Sequence, residues 1–244
     1  MPDTLPFMYG EEEVSWLQSR DSILGAAIST IGHIHRPVIT DLFMALVNAI
    51  AGQQISTKAH ATVWEKMQER HSPITPETIG ALPAEELQQC GISFRKAYYI
   101  KEIADSILQG SLDLDLLRSL PDNEVCHRLA QIKGIGIWTA EMLMTFSMQR
   151  RDIISWEDLA IIRGMRMLYR HRKITPVLFA KYKRRYSPYA TIASIYLWAI
   201  AGGAIPGLAD PAPKTDAQKK AAARKKRKVR QDLKPQTKIP SVTV

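Results

Sequence analysis

Two short stretches hold the residue types best suited to chemistry. They are Ile132-Lys133-Gly134-Ile135-Gly136-Ile137-Trp138-Thr139-Ala140 and an acidic pair, Glu157-Asp158. Glycine permits a tight turn between two helical segments and lets a ligand approach the backbone closely. The N–H groups opening the next helix then form an anion site, so Gly134 and Gly136, with Lys133 and Thr139 beside them, read as a phosphate grip. Asp158 follows Trp138 by twenty positions, one helix further on, where a carboxylate could act on a sugar. Phosphate and sugar together point to a nucleic-acid backbone. A glycine turn of this kind also occurs in plain DNA-binding modules, and it can be a tight helical connection with no ligand at all.

The elements that must position these residues read as helices. Leu42, Phe43, Leu46, Val47 and Ile50 form one apolar face ending at Gly52, and Val63, Trp64 and Met67 mark a second helix after Ser56. Ala97, Ile100, Ile103, Ala104 and Ile107 give a third face. Asp122 is expected to cap a helix carrying Val125, Leu129 and Ile132. A helix over Trp138 to Met148 follows the glycine turn, and Leu159, Ile162, Met165 and Leu168 continue the series. Thr175-Pro176 and Ser187-Pro188 each place a capping hydroxyl before a proline suited to the first helical position. Cys90-Gly91-Ile92-Ser93 loosely echoes the later glycine turn. No period-2 strand stands out, so the expected fold class is all-α, a helical bundle over residues 1–208 with a disordered basic tail over 209–244.

Composition narrows the function classes. Cys90 and Cys126 are the only two cysteines, too few for a disulfide framework, a four-cysteine zinc site or an iron–sulfur cluster. Both read as buried apolar residues in a reducing compartment. Met1 to Glu13 carries an acidic run and is not a signal peptide. Tyr186 to Ala209 has no charged residue, yet its prolines and glycines break it into a buried helix and a turn, so no membrane partner is expected. The net charge of +9 is concentrated in residues 209–244, which carry +8, against +1 for residues 1–208. Lys219 to Arg230 is therefore a polycation suited to nucleic acid, to nuclear import through Lys225 to Val229, or to solubility.

The combination of Ile132 to Ala140, Asp158 and the earlier Ile50-Ala51-Gly52-Gln53-Gln54-Ile55-Ser56 resembles the helix–hairpin–helix glycosylases of base-excision repair. Within them it is most similar to the 3-methyladenine DNA glycosylase II group, over roughly residues 16 to 205. The resemblance implies a two-lobed helical domain with the active-site cleft between the lobes, acting on double-stranded damaged DNA as a monomer inside the cell. The compartment would be cytoplasm or nucleoid, or the nucleus in a eukaryote. Asp158 would be the catalytic carboxylate. Trp138, Met142 and Tyr189 would wall the base pocket, the last from Pro188-Tyr189. Gln54 would fill the gap left by a flipped base, with Gln53 and Ser56 near the duplex. The hairpin would hold a monovalent or similar cation through the carbonyls of Ala130, Ile132 and Ile135, with no cofactor required and no iron–sulfur cluster.

Two departures from the family pattern stand in the sequence. No proline precedes the acidic pair in Ile154-Ser155-Trp156-Glu157-Asp158, which makes Glu157 a rival to Asp158. Fewer than 40 residues precede the first core helix, so the amino-terminal sheet of the larger bacterial form is expected to be absent. Trp138 also stands where strand-cutting members carry a Schiff-base lysine, which implies a monofunctional enzyme. Asp158 has a second reading as a helix N-cap, and Gln53 one as a helix-end hydrogen bond. Trp16, Trp64, Trp156 and Trp198 read by default as core or interface residues. None of the six histidines has metal-ligand spacing. A non-catalytic DNA-binding module and a glycosylase for deaminated or oxidised bases are the other readings.

Overall fold

The computed structural model describes residues 4–212, so the tail reading lies outside the described residues from 213 onward. Apolar faces at helical spacing collapse into two separate cores, and the chain passes from one to the other and back. The first lobe is built from α3 (Leu42–Gly52), α4 (Thr57–His71), α5 (Pro76–Ala81), α6 (Ala84–Gln88), α7 (Phe94–Leu108), α8 (Leu114–Ser119), α9 (Asp122–Ala130) and α10 (Ile137–Phe146). Leu46, Ile50, Met67, Ile100, Leu129 and Ala140 meet at its centre. The second lobe joins α1 (Glu11–Arg20) and α2 (Ser22–Ile31) to α11 (Leu159–Tyr169), α12 (Pro176–Tyr186) and α13 (Ala190–Ala201). Its core holds Leu17, Leu24, Ile161, Met165, Tyr186 and Ile200. The handover falls between two adjacent residues, since Ile153 belongs to the first core and Ile154 to the second.

Local capping explains where most helices begin. The Asp41 carboxylate accepts from Met44 N (2.6 Å) to start α3, Ser56 Oγ accepts from Ala59 N (3.2 Å) to start α4, and Thr175 with Pro176 starts α12. Buried Asp21 caps α2 and also accepts from Tyr169 Oη (2.9 Å) and Arg185 Nη1 (2.7 Å), tying α1 and α2 to α11 and α12.

Several expectations are corrected. The fold is all-α as expected, apart from two three-residue strands, β1 (Thr4–Pro6) and β2 (Pro37–Ile39), that pair antiparallel on either side of α1 and α2 in the sequence. They are too short to display a period, and Pro6 faces Pro37, where neither can donate to a ladder. Asp122 is the first residue of α9 rather than its cap, and its carboxylate pairs with Arg150 (3.3 Å). Ser187 donates to Asp152 Oδ2 (2.6 Å), and α13 begins only at Ala190. The helix after the glycine turn ends at Phe146, two residues early. Cys90 is buried but Cys126 is only half-buried. Residues 209–212 are not free of the body, because Asp210 receives two hydrogen bonds from Arg166 (2.9 and 2.5 Å). Among the described residues no helix is long and apolar enough to cross a membrane.

Candidate active site

The glycine turn between α9 and α10 is shaped by what surrounds it. Gly134 has φ +88°, and a Cβ there would meet the Tyr99 ring at 2.5 Å, so both backbone and space require glycine. Buried Ile135 pins the loop to the first core, and its N–H bonds the Ile132 carbonyl (2.9 Å). Gly136 is different. Its φ is −88° and a Cβ would meet nothing within 4 Å, so nothing in the fold excludes a side chain there. The N–H groups of Gly136, Ile137 and Trp138 have no acceptor among the described residues. An uncapped helix start with its face clear of side chains can receive an oxyanion.

A second turn is bolted to the first. Gln53 Nε2 donates to the Gly134 carbonyl (2.6 Å), and Lys96 Nζ donates to the carbonyls of Ala51 (2.9 Å) and Gln53 (2.6 Å) at the end of α3. Gln53 is thus a link between the two turns. The next residue, Gln54, is exposed and left-handed at φ +57°, a conformation uncommon outside glycine, and it projects at the edge of the interlobe cleft.

Asp158 arrives on the return crossing between the lobes. It is buried, and its two oxygens do different things: Oδ1 accepts from Ala160 N (2.8 Å) and Ile161 N (2.9 Å), while Oδ2 accepts from the Trp138 indole Nε1 (2.9 Å). The cap and the cleft-facing carboxylate are one residue. Glu157 is exposed, does not line the cleft and has no hydrogen-bonded partner among the described residues. Around Asp158 opens a cleft of about 870 Å³, walled by Trp138, Met142, Phe146 and Trp198. A side chamber of about 300 Å³ shares Met142 and Phe146 with it.

The structure brings together Gln53, Gln54, Trp138, Thr139, Met142 and Asp158 at this cleft. It does not bring Tyr189. That ring is buried in the second lobe, packed edge-on to Trp16 (5.5 Å), with its hydroxyl donating to Glu12 (2.9 Å). Ser56 is a helix cap away from the cleft lining. Lys133 is exposed and salt-bridged to Glu102 (2.5 Å), which raises its pKa. Among the described residues the Ala130 and Ile135 carbonyls accept no hydrogen bond, and Ile132 accepts one. Among the described residues no group of three or more His, Cys, Asp or Glu stands together as a metal site.

Sequence reasoning missed Phe146, Trp198, Arg36 and His60 at the cleft. Phe146 had a signal, since Trp138, Met142 and Phe146 repeat every four residues along α10. Arg36 and Trp198 had none, because they come from distant parts of the chain.

Two lobes of helices with a hairpin and a buried aspartate at their seam define a helix–hairpin–helix base-excision DNA glycosylase. The chain belongs to the HhH-GPD superfamily of base-excision DNA repair proteins, which it matches over residues 47–187. It is 36% identical over 158 residues to DNA-3-methyladenine glycosylase 1 of Schizosaccharomyces pombe, covering 63% of this chain and 69% of that one. The crystal structure of a DNA-3-methyladenine glycosidase from Bacillus halodurans superimposes with a TM-score of 0.71 at 32% identity, covering 82% of this chain and 93% of the other. A 3-methyladenine DNA glycosylase of the same yeast, solved in complex with abasic DNA, gives a TM-score of 0.67 at 30% identity over 77% and 95% of the two chains.

Proposed function

We propose that this protein is a monofunctional glycosylase that releases alkylated purines of the 3-methyladenine type from duplex DNA, acting as a monomer. The observation that carries this reading is Asp158 Oδ2, held 2.9 Å from the Trp138 indole in the cleft between the lobes. The relatives named above as 3-methyladenine glycosylases support the substrate class.

The chemistry follows from the substrate. A purine methylated at N3 already carries positive charge, so when its glycosidic bond breaks the electron pair neutralises the leaving base. Little acid catalysis is needed. The enzyme must instead unstack the nucleotide, hold a cationic base against aromatic faces and stabilise the sugar cation left behind. In this reading Trp138, Met142, Phe146 and Trp198 receive the base, and Gln54 fills the space it vacates. The hairpin N–H groups at Gly136 to Trp138 hold a phosphate of the same strand. Asp158 Oδ2 faces the anomeric carbon, stabilises its charge and orients the water whose oxygen bonds to that carbon, while the water's proton passes to the carboxylate or to solvent. The carbonyls of Ala130, Ile132 and Ile135 would hold a monovalent cation that stiffens the hairpin.

Single-turnover release of bases from methylated duplex DNA tests the proposal. Asp158→Asn keeps an N-cap acceptor but removes the charge, so release is expected to slow by about 10²-fold or more while damaged-DNA binding survives. A wild-type protein that binds such DNA and releases nothing would be a non-catalytic module. A variant with near-normal rates would confine Asp158 to capping.

A further inference from the structure

The segment that delivers Asp158 to the cleft is held by very little. Hydrogen bonding stops at Ile153, whose N–H donates to Thr191 Oγ1 (2.9 Å), and resumes only at the Asp158 cap. Residues 154–157 between them make no hydrogen bond among the described residues, and none of them is a proline that would stiffen the backbone. Side chains must anchor them instead. Ile154 enters the second core, the Trp156 ring meets Phe179 edge-on (5.1 Å), and Ser155 is wholly buried. Ser155 Oγ lies beside the carboxyl of Glu141 on α10. Both Ser155 Oγ and Glu141 Oε2 are shut off from solvent without a completed hydrogen bond, as is Thr145 Oγ1, one turn further along the same face of α10.

A carboxyl in such a place favours its uncharged form. Burial above all raises the Glu141 pKa from its ordinary value. The Glu157 and Asp158 carboxylates on the crossing raise it further, against the opposing effects of the Ser155 hydroxyl and of Lys183 on α12, and Cys126 on α9 also stands nearby. A neutral carboxyl both donates and accepts, so it can engage a hydroxyl in either sense, whereas a carboxylate only accepts and here is repelled by two others. We propose that Glu141, as an uncharged acid, is a positioning residue that holds the Ser155 crossing against α10 and keeps Asp158 aimed at the sugar. Its ionisation releases that hold. This rests on the excision reading above.

The test follows the full-length wild type, Glu141→Gln and Ser155→Ala across the pH range above ordinary carboxylate values, by single-turnover base release from methylated duplex DNA and by urea midpoint. With a raised pKa the folded chain keeps a proton that the unfolded chain has lost, so stability falls as pH rises toward the folded value. Wild-type release should fall over the same range, by roughly tenfold or more, as Asp158 loses its position. Glutamine keeps the shape and a donor but cannot ionise. Glu141→Gln is expected to lack both falls and to work within about threefold of the wild-type rate at the acid end. Ser155→Ala removes a hydroxyl that favours the charged form, so its fall should move to higher pH whatever its absolute rate. A midpoint that falls with no matching fall in release would make Glu141 structural only and overturn the inference. So would one pH profile shared by wild type and Glu141→Gln, or a fall that Ser155→Ala leaves in place. A wild type that releases no base at any pH sinks the excision reading and this inference with it.

Discussion

At the scale of single residues, the division of labour within Asp158 separates stability from chemistry. One oxygen closes the first turn of α11 and the other meets Trp138, so asparagine and alanine should differ in stability but not in rate. Asp158→Ala is expected to lose about 0.5–2 kcal/mol, read as the urea midpoint, where Asp158→Asn loses only a few tenths. Equal midpoints would mean that the cap contributes nothing. Lys133 carries a different prediction. It is the lysine nearest the hairpin turn, yet Glu102 holds it protonated and Trp138 occupies the position facing Asp158. A protonated amine is a poor nucleophile. Borohydride should therefore trap no covalent adduct with damaged DNA, and the product strand should remain intact at its abasic site. A trapped adduct would require an amine other than Lys133 near the sugar.

At the scale of elements, the two hairpin glycines should fail in opposite ways. Gly134→Ala forces a Cβ into the Tyr99 ring at a positive φ, so the fold itself is affected. The expected loss exceeds about 1 kcal/mol, which for a chain of this size lowers Tm by roughly 2–4 °C per kcal/mol. Gly136→Ala has open space and an ordinary φ, so its Tm should stay within about 1–2 °C of wild type. Its affinity for DNA should fall, because the added methyl stands where a phosphate would meet the N–H groups. Unchanged affinity in Gly136→Ala would move the phosphate elsewhere. The same element links to the cleft through Gln53, whose bond to the Gly134 carbonyl couples the hairpin to the Gln54 turn.

For the whole molecule, charge is distributed far more unevenly than the +1 of residues 1–208 suggests. Residues 1–158 hold thirteen Lys and Arg against twenty-one Asp and Glu, while residues 159–208 hold nine Lys and Arg and no acid. Lys181, Lys183 and Arg184 on α12 are exposed, as are Arg170, Arg172 and Lys173 before it. Residues 213–244 add eleven more Lys and Arg. Both segments are suited to a polyanion, and salt dependence distinguishes them. Truncation after residue 212 should leave folding intact, because residues 213–244 are rich in Lys, Arg, Pro and Ala and offer few large apolar side chains to a core. If three to five phosphates are met by the removed segment, the slope of log K against log salt should flatten by about 3 to 4 units. Base-release rates at saturating enzyme should barely change. An unaltered slope would assign DNA attraction to α12 and its preceding loop, leaving the tail a solubility or import role.

What was legible in the sequence is what neighbouring residues settle among themselves. The faces of α3, α4, α7 and α11, the caps at Ser56 and Thr175, and the glycine hairpin depend on spacings of about four residues or fewer. The spacing from Trp138 to Asp158 likewise survives folding, because one helix and one loop connect them. The tertiary structure decided everything that required distant faces to meet. Packing turned Tyr189 toward Trp16 and Glu12 rather than the cleft, and it exposed Glu157 while burying Asp158 one residue away. It also brought Arg36 from the outward crossing and Trp198 from α13 to the wall that Phe146 completes. No periodicity records such a meeting, since it depends on how two cores split the chain at Ile153 and Ile154, a choice made by the packing of both lobes together.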